Sequence, residues 1–382
     1  MKKQWKKAMV AAGCLAALMA AVAGCGGNTQ KAENGNAMKL GFVTAYTGPG
    51  AAYGTAMKEG VDLAVKEINS DPKTKYKIDL VTYDTKMVKA EAINAVKRAV
   101  TQDKVLAIHG PMTTGEVMAA SPLAQQGKTV AFTTGGTGPD VTNIGDYVFR
   151  NSIPVEIAIP QTLEKARKKL GFQKVAVLYS HNNDNCVAEN EVYQKVLRQM
   201  GLDVVATEAF ADKDTDFSAQ LIKVQAANPD VIAIAGYYQE GALIARKARE
   251  MGMNQPIIGN NGFNSPAYIK QAGAAAEDTM VATPWNPMRD SEKAKHFKEA
   301  YTAAYGHEPD QFAAQAYDAL YLMHAAAEKA GTTTDRKKFR DTLAGMKGFE
   351  GATGTFAFDE HRDPSMDLTV LIVKDGKWEP LA

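Results

Sequence analysis

Phe132-Thr133-Thr134-Gly135-Gly136-Thr137-Gly138-Pro139 directly follows a short apolar run, Thr129 to Phe132, that reads as a strand. With three glycines and three threonines, the eight residues expose backbone N–H groups and hydroxyls with little side-chain bulk. In an open parallel sheet, ligands sit beyond the carboxyl ends of the strands, so a turn of this kind suits a small anion such as a carboxylate. Gly-rich turns also end strands where nothing binds, and these residues alone do not separate the two readings.

The surrounding chain alternates strand and helix patterns. Before the turn come apolar runs at Leu40 to Ala45, Ile78 to Tyr83 and Val105 to His109, separated by helical spacing at Met57, Val61, Ala64, Val65 and Ile68, at Lys89 to Gln102 and at Glu116 to Gln126. After a proline-marked join at Ile153-Pro154 the rhythm restarts. Strands are expected at Val175 to Tyr179, Val204 to Phe210, Val231 to Ala235, Pro256 to Gly259 and Thr279 to Ala282, with helices at 156–170, 188–200, 217–227 and 240–251. Such alternation implies parallel sheets wrapped by helices, and crossover handedness makes each a doubly wound lobe. Beyond Pro284 and Pro287 the chain is mostly helical, at 291–305, 311–330 and 336–346, with strands near 355–358 and 368–373. Those helices need a sheet to cover, and the first lobe is the one short of helices, so the chain is expected to cross between lobes more than once.

A length of 382 residues favours two domains, and 45% apolar with 23% charged residues is ordinary globular composition. The first 25 residues form a leader: Lys2, Lys3, Lys6 and Lys7 precede an alanine-rich apolar run that ends in Val22-Ala23-Gly24-Cys25. That ending resembles the bacterial lipoprotein cleavage box, which implies lipidation of Cys25 and a membrane anchor. Residues 26–37 then form a polar tether with a flexible-coil reach of about 20 Å. Without the leader's four lysines the formal charge falls from +1 to −3, and no basic patch marks a nucleic-acid surface. Cys186 is left as the single cysteine of the processed chain, which precludes an internal disulfide and is read as an inert packing thiol.

The order of motifs resembles the leucine/isoleucine/valine-type (branched-chain amino acid) substrate-binding proteins of ABC importers. The landmarks are Thr47-Gly48-Pro49, Tyr53-Gly54, Tyr83-Asp84, Gly110 with Thr113-Thr114, Thr133 to Pro139, Asp216-Phe217-Ser218, Pro229-Asp230, Gly236-Tyr237 and Phe358-Asp359. The resemblance covers Met38 to Ala382 and implies the type I periplasmic binding protein fold: two Rossmann-like lobes joined by a multi-strand hinge. Expected boundaries are 38–153 plus 286–363 for the N-terminal lobe and 154–285 plus 364–382 for the C-terminal lobe. The resemblance also implies an extracytoplasmic lipoprotein that captures a small carboxylate ligand by cleft closure and delivers it to ABC permease subunits. No cofactor or metal is implied.

Site roles carry over position by position. The loops containing Thr113 and Thr114, and Gly135, Gly136 and Thr137, are expected to hold the ligand carboxylate, while Tyr53, Tyr237 and Phe312 wall the pocket. Two departures bear on the ligand. The family's Asp-x-x-Tyr-Gly loop reads His181-Asn182-Asn183-Asp184-Asn185 here, and the glutamate that meets the ligand ammonium is replaced by Asn261. The family's disulfide positions fall at Met87 and Thr113 and are not cysteines. Asp184 is therefore expected to take over the salt bridge to an amino-acid ammonium, with Asn261, Tyr237 and Glu240 around it. A carboxylate lacking an amine, or an amide, is the alternative ligand, and a ligand-sensing receptor component the alternative role. As for an enzyme, the chain has no dinucleotide fingerprint, P-loop, nucleophile elbow or metal-spaced histidines.

Overall fold

The computed structural model describes residues 36–381. The leader, Cys25 and residues 26–35 of the tether lie outside them.

The first half of the chain runs β1 (Ala37–Thr44), α1 (Ala51–Ser70), β2 (Lys77–Asp84), α2 (Lys89–Thr101), β3 (Ala107–His109), α3 (Thr114–Gln126), β4 (Val130–Thr133) and β5 (Val148–Arg150). The five strands form a parallel sheet in the order β2-β1-β3-β4-β5. The second half runs α4 (Val155–Leu170), β6 (Lys174–Ser180), α5 (Asp184–Gln199), β7 (Asp203–Phe210), α6 (Ser218–Ala227), β8 (Val231–Ala235), α7 (Tyr238–Glu250), β9 (Ile257–Gly259), α8 (Pro266–Ala272) and β10 (Thr279–Thr283). Its parallel strands lie in the order β7-β6-β8-β9-β10, the same winding pattern as the first sheet. Two doubly wound α/β sheets were the sequence expectation, and they are what the chain forms. Val231–Ala235 and Thr279–Thr283 are buried throughout, which is why such strands read as continuous apolar runs without alternation.

The chain then adds α9 (Glu292–Tyr305), α10 (Gln311–Ala330), α11 (Arg336–Ala344), a small antiparallel sheet of β11 (Phe349–Gly351), β12 (Gly354–Phe358) and β13 (Pro364–Ser365), and a hairpin of β14 (Thr369–Lys374) and β15 (Lys377–Pro380). The hairpin extends the second sheet, with β14 antiparallel to β10. Helix α10 instead packs on the first sheet's layer. The Tyr317 and Tyr321 hydroxyls both donate to Glu67 of α1, at 2.6 and 2.8 Å, and Gln315 and Asn151 exchange amide-to-carbonyl bonds at 2.7 and 2.8 Å. At the closest approach of α1 and α10, a Cβ built on Gly60 would stand 2.2 Å from the Ala313 carbonyl oxygen. Gly60→Ala must push the two helices apart, so a stability loss on the order of 1–3 kcal/mol is expected in urea unfolding monitored by circular dichroism.

Several elements escaped the sequence pattern. Three-residue β5 is too short to show a period, and α8 starts where Ser265 caps a helix with Pro266 in its first turn. Helix α5 begins at Asp184, four residues earlier than the apolar spacing suggested, because Asn183 caps it by accepting from the Asn185 and Cys186 N–H groups.

Candidate functional site

In a 2-1-3-4-5 sheet the strand order reverses between the first and third strands, and the loops beyond their carboxyl ends leave a crevice. Both sheets have such a crevice, and the two face one cavity. Its lining comes from the segments after β1 (Tyr53), β3 (Met112, Thr113, Thr114), β4 (Gly135, Thr137), β6 (Asn185, Glu189), β8 (Tyr237) and β9 (Asn260, Asn261, Gly262), with Phe312 from α10.

The first lobe's side of the cavity is a cradle of hydroxyls and amides. Thr113 caps α3 in a reciprocal box with Glu116, leaving the helix N-terminus directed at the cavity. The Thr114 hydroxyl accepts from Gly138 N–H at 3.1 Å and donates to the Asn185 side-chain oxygen at 3.0 Å, while Thr137 donates to the same oxygen at 3.1 Å. Gly136 does not line the cavity. Its N–H is held by Thr133 at 3.0 Å, and its carbonyl is turned inward, where it accepts from Ser152 at 2.7 Å. Gly135 and Gly138 are both tight points of the turn, since a Cβ on the first would lie 2.6 Å from the Met112 carbonyl oxygen and one on the second 2.5 Å from Thr114 Cγ2.

The aromatic walls meet across the cleft. Tyr53 packs on Phe312 with ring centroids 4.6 Å apart and on Tyr237 at 6.2 Å. Its hydroxyl donates to the Gly262 carbonyl at 2.9 Å and accepts from Tyr238 N–H at 3.1 Å, both in the opposite lobe. Gln239 also reaches the Pro49 carbonyl at 2.5 Å. These bonds join loops of the two sheets across the cavity.

Of the residues expected around an ammonium, Tyr237 and Asn261 line the cavity and Asp184 and Glu240 do not. The Asp184 carboxylate pairs with Lys89 at 2.5 Å on the outer rim, where both side chains are 57% exposed. Glu240 is also absent from the lining and accepts from Lys213 N–H at 2.8 Å, and Asn261 is tied by its side-chain oxygen to Gln311 at 2.5 Å. Among the described residues, the one carboxylate that lines the cavity is Glu189, fully buried and held by Asn185 Nδ2 and Asn260 Nδ2, each at 2.7 Å. Burial is the main cause that raises its carboxyl to about 7, against the downward pull of the two amide bonds. Asn185 and Glu189 stand four apart on the first turns of α5, so one helix face delivers both. That spacing was present in the sequence, but starting the helix at residue 188 hid it. Cys186 beside them is fully buried, and burial pushes its thiol well above the ordinary value.

Two doubly wound sheets with facing crevices and one pocket between them define the two-lobe α/β class. The family model for periplasmic binding proteins matches residues 37–377, and the chain belongs to that family. Among curated relatives, it is 27% identical over 340 residues to Leu/Ile/Val-binding protein homolog 3 of Brucella melitensis biotype 1, spanning 86% of this chain and 90% of that one. Among solved structures, it resembles the branched-chain amino acid transporter substrate-binding protein LivJ of Streptococcus pneumoniae in complex with isoleucine, at a TM-score of 0.84 and 33% identity over 90% of this chain and 98% of that one. The leucine-binding protein LivK of Thermotoga maritima is similar, at a TM-score of 0.85 and 32% identity over 90% and 97%.

Proposed function

We propose that the chain is the extracytoplasmic binding component of an ABC importer and captures an α-amino acid with an apolar side chain. The observation that carries this reading is the placement of Glu189, a single buried carboxylate facing a cradle of hydroxyls and backbone N–H groups. A zwitterion matches that polarity: its carboxylate takes the Thr114, Gly135 and Thr137 side, and its ammonium takes Glu189. Tyr53, Met112, Tyr237 and Phe312 then enclose an aliphatic side chain. The names of the relatives and solved structures, which are leucine, isoleucine and valine binders, support the same ligand class. No bond-making step is assigned to the site.

The lobes are taken as 38–153 with 286–363 and 154–285 with 364–382, and ligand binding shifts them from open to closed. Cys25 carries the lipid anchor and the tether holds the closed protein close to the permease. The test is a melting-temperature screen, since a ligand that binds only the native state raises Tm by mass action. Isoleucine, leucine and valine are expected to raise it, and their deaminated 2-keto acids to do so much less, because a site built to bond an amine discriminates against ligands lacking one. Equal or larger shifts with the keto acids would overturn the amino-acid reading.

A further inference from the structure

Arg150, the last residue of β5, has a side chain only 1% exposed and lies beneath the Gly136–Gly138 turn. Its guanidinium makes four hydrogen bonds. Nε and one terminal nitrogen grip both oxygens of Asp363 at 2.6 and 2.9 Å, while the other terminal nitrogen donates to the carbonyls of Gly138 at 2.6 Å and Gly136 at 3.3 Å. Ser152 adds a second donor to the Gly136 carbonyl at 2.7 Å. Asp363 is itself fixed, accepting from Thr142 at 3.1 Å and held through its N–H by Asp359 at 2.9 Å. A charge is buried only where it is paired and its hydrogen bonds are used, and here the pairing leaves one edge of the fork for the turn.

We infer that Arg150 is a positioning residue for the anion cradle. A trans peptide sets the carbonyl of one residue opposite the N–H of the next, so holding the Gly136 carbonyl inward turns the Thr137 N–H outward, toward the cavity that Thr137 lines. Among the described residues, that N–H has no protein acceptor. The guanidinium also puts positive charge behind the turn, on the far side from the ligand's carboxylate. A lysine keeps the charge but cannot span Asp363 and the two carbonyls together. The inference rests on the amino-acid reading of the cavity.

The test compares isoleucine with isoleucinol, in which the carboxylate is replaced by a neutral CH2OH, on the native chain, Arg150→Lys and Ser152→Ala. Arg150→Lys is expected to weaken isoleucine at least tenfold and isoleucinol less than threefold, so the affinity ratio of the two ligands falls. Ser152→Ala, which removes one donor to the same carbonyl and leaves the buried ion pair intact, is expected to lower the ratio by about threefold and keeps the test decisive if Arg150→Lys does not fold. The Thr137 amide proton should also shift downfield when isoleucine binds the native chain, and shift less in both variants. A general loosening would weaken both ligands by the same factor, and that result overturns the inference. If the native chain does not bind isoleucine, the amino-acid reading falls and the inference with it. If it binds and the ratio stays constant across the variants, only the inference falls.

Discussion

Glu189→Gln is expected to weaken isoleucine binding by roughly two to three and a half orders of magnitude in titration calorimetry, the equivalent of about 3–5 kcal/mol for leaving one member of a buried ion pair unmatched. Gln has nearly the same shape, so the cavity keeps its volume and the loss reports charge. The effect is specific for a second reason. Asn185 and Asn260 each direct an NH2 group at Glu189, and an amide there can accept from only one of them through its oxygen while its own NH2 faces the other. Asp184→Asn is the matched control. Its carboxylate sits on the exposed rim with Lys89, and such pairs contribute little, so affinity should change by no more than a few-fold. A large loss with Asp184→Asn and none with Glu189→Gln would return the ammonium to the rim and refute the assignment.

Much of the architecture was legible because parallel sheets announce themselves. Fully buried strands such as Val231–Ala235 are short apolar runs, and the helices between them keep amphipathic spacing. The cradle was legible for a different reason. Glycine and threonine at Thr133 to Gly138 limit the side-chain bulk that can fill the turn, and the structure places Gly135 and Thr137 at the cavity with Thr114 bonded to Gly138. The place of Glu189 at the cavity was not legible, because the one carboxylate in the loop that replaces the expected tyrosine is Asp184. Within that loop Asp184 has the charge but stands at the first position of α5 facing the rim, whereas Asn185, one residue on, points inward with Glu189 a turn further. A rotation of one residue on a helix moves a side chain by about 100°, enough to separate cavity from solvent. Arg150 was invisible for a third reason. Its partner Asp363 lies 213 residues away, and no local pattern joins an arginine at the end of a three-residue strand to a crossover segment.

Affinity should also depend steeply on pH, in a direction that the burial of Glu189 fixes. Without ligand its carboxyl is raised to about 7, from an ordinary 4.5, so below 7 the group is mostly neutral. An ammonium ligand needs it ionised, so binding below pH 7 must expel a proton from Glu189. Well below 7 each unit of pH then costs close to a tenfold loss of affinity for isoleucine, about 100-fold between the plateau above 7 and pH 5. Stability of the ligand-free chain runs the other way. A carboxyl raised in the native state holds its proton there while the unfolded chain releases it, so stability is highest below the unfolded value and falls as pH rises from 4.5 to about 7. Asp310, raised to about 7, and Asp318, raised to about 6, add to that stability trend for the same reason of burial, but neither lines the cavity and neither should enter the affinity. Calorimetry in buffers of different ionisation enthalpy separates the two effects, because proton release on binding at pH 6 appears only in the binding heat. Glu189→Gln should abolish that release and flatten the affinity profile, while the residual stability slope from Asp310 and Asp318 persists. An affinity for isoleucine that stays constant from pH 5 to pH 8 in the native chain would exclude Glu189 as the group that meets the ammonium.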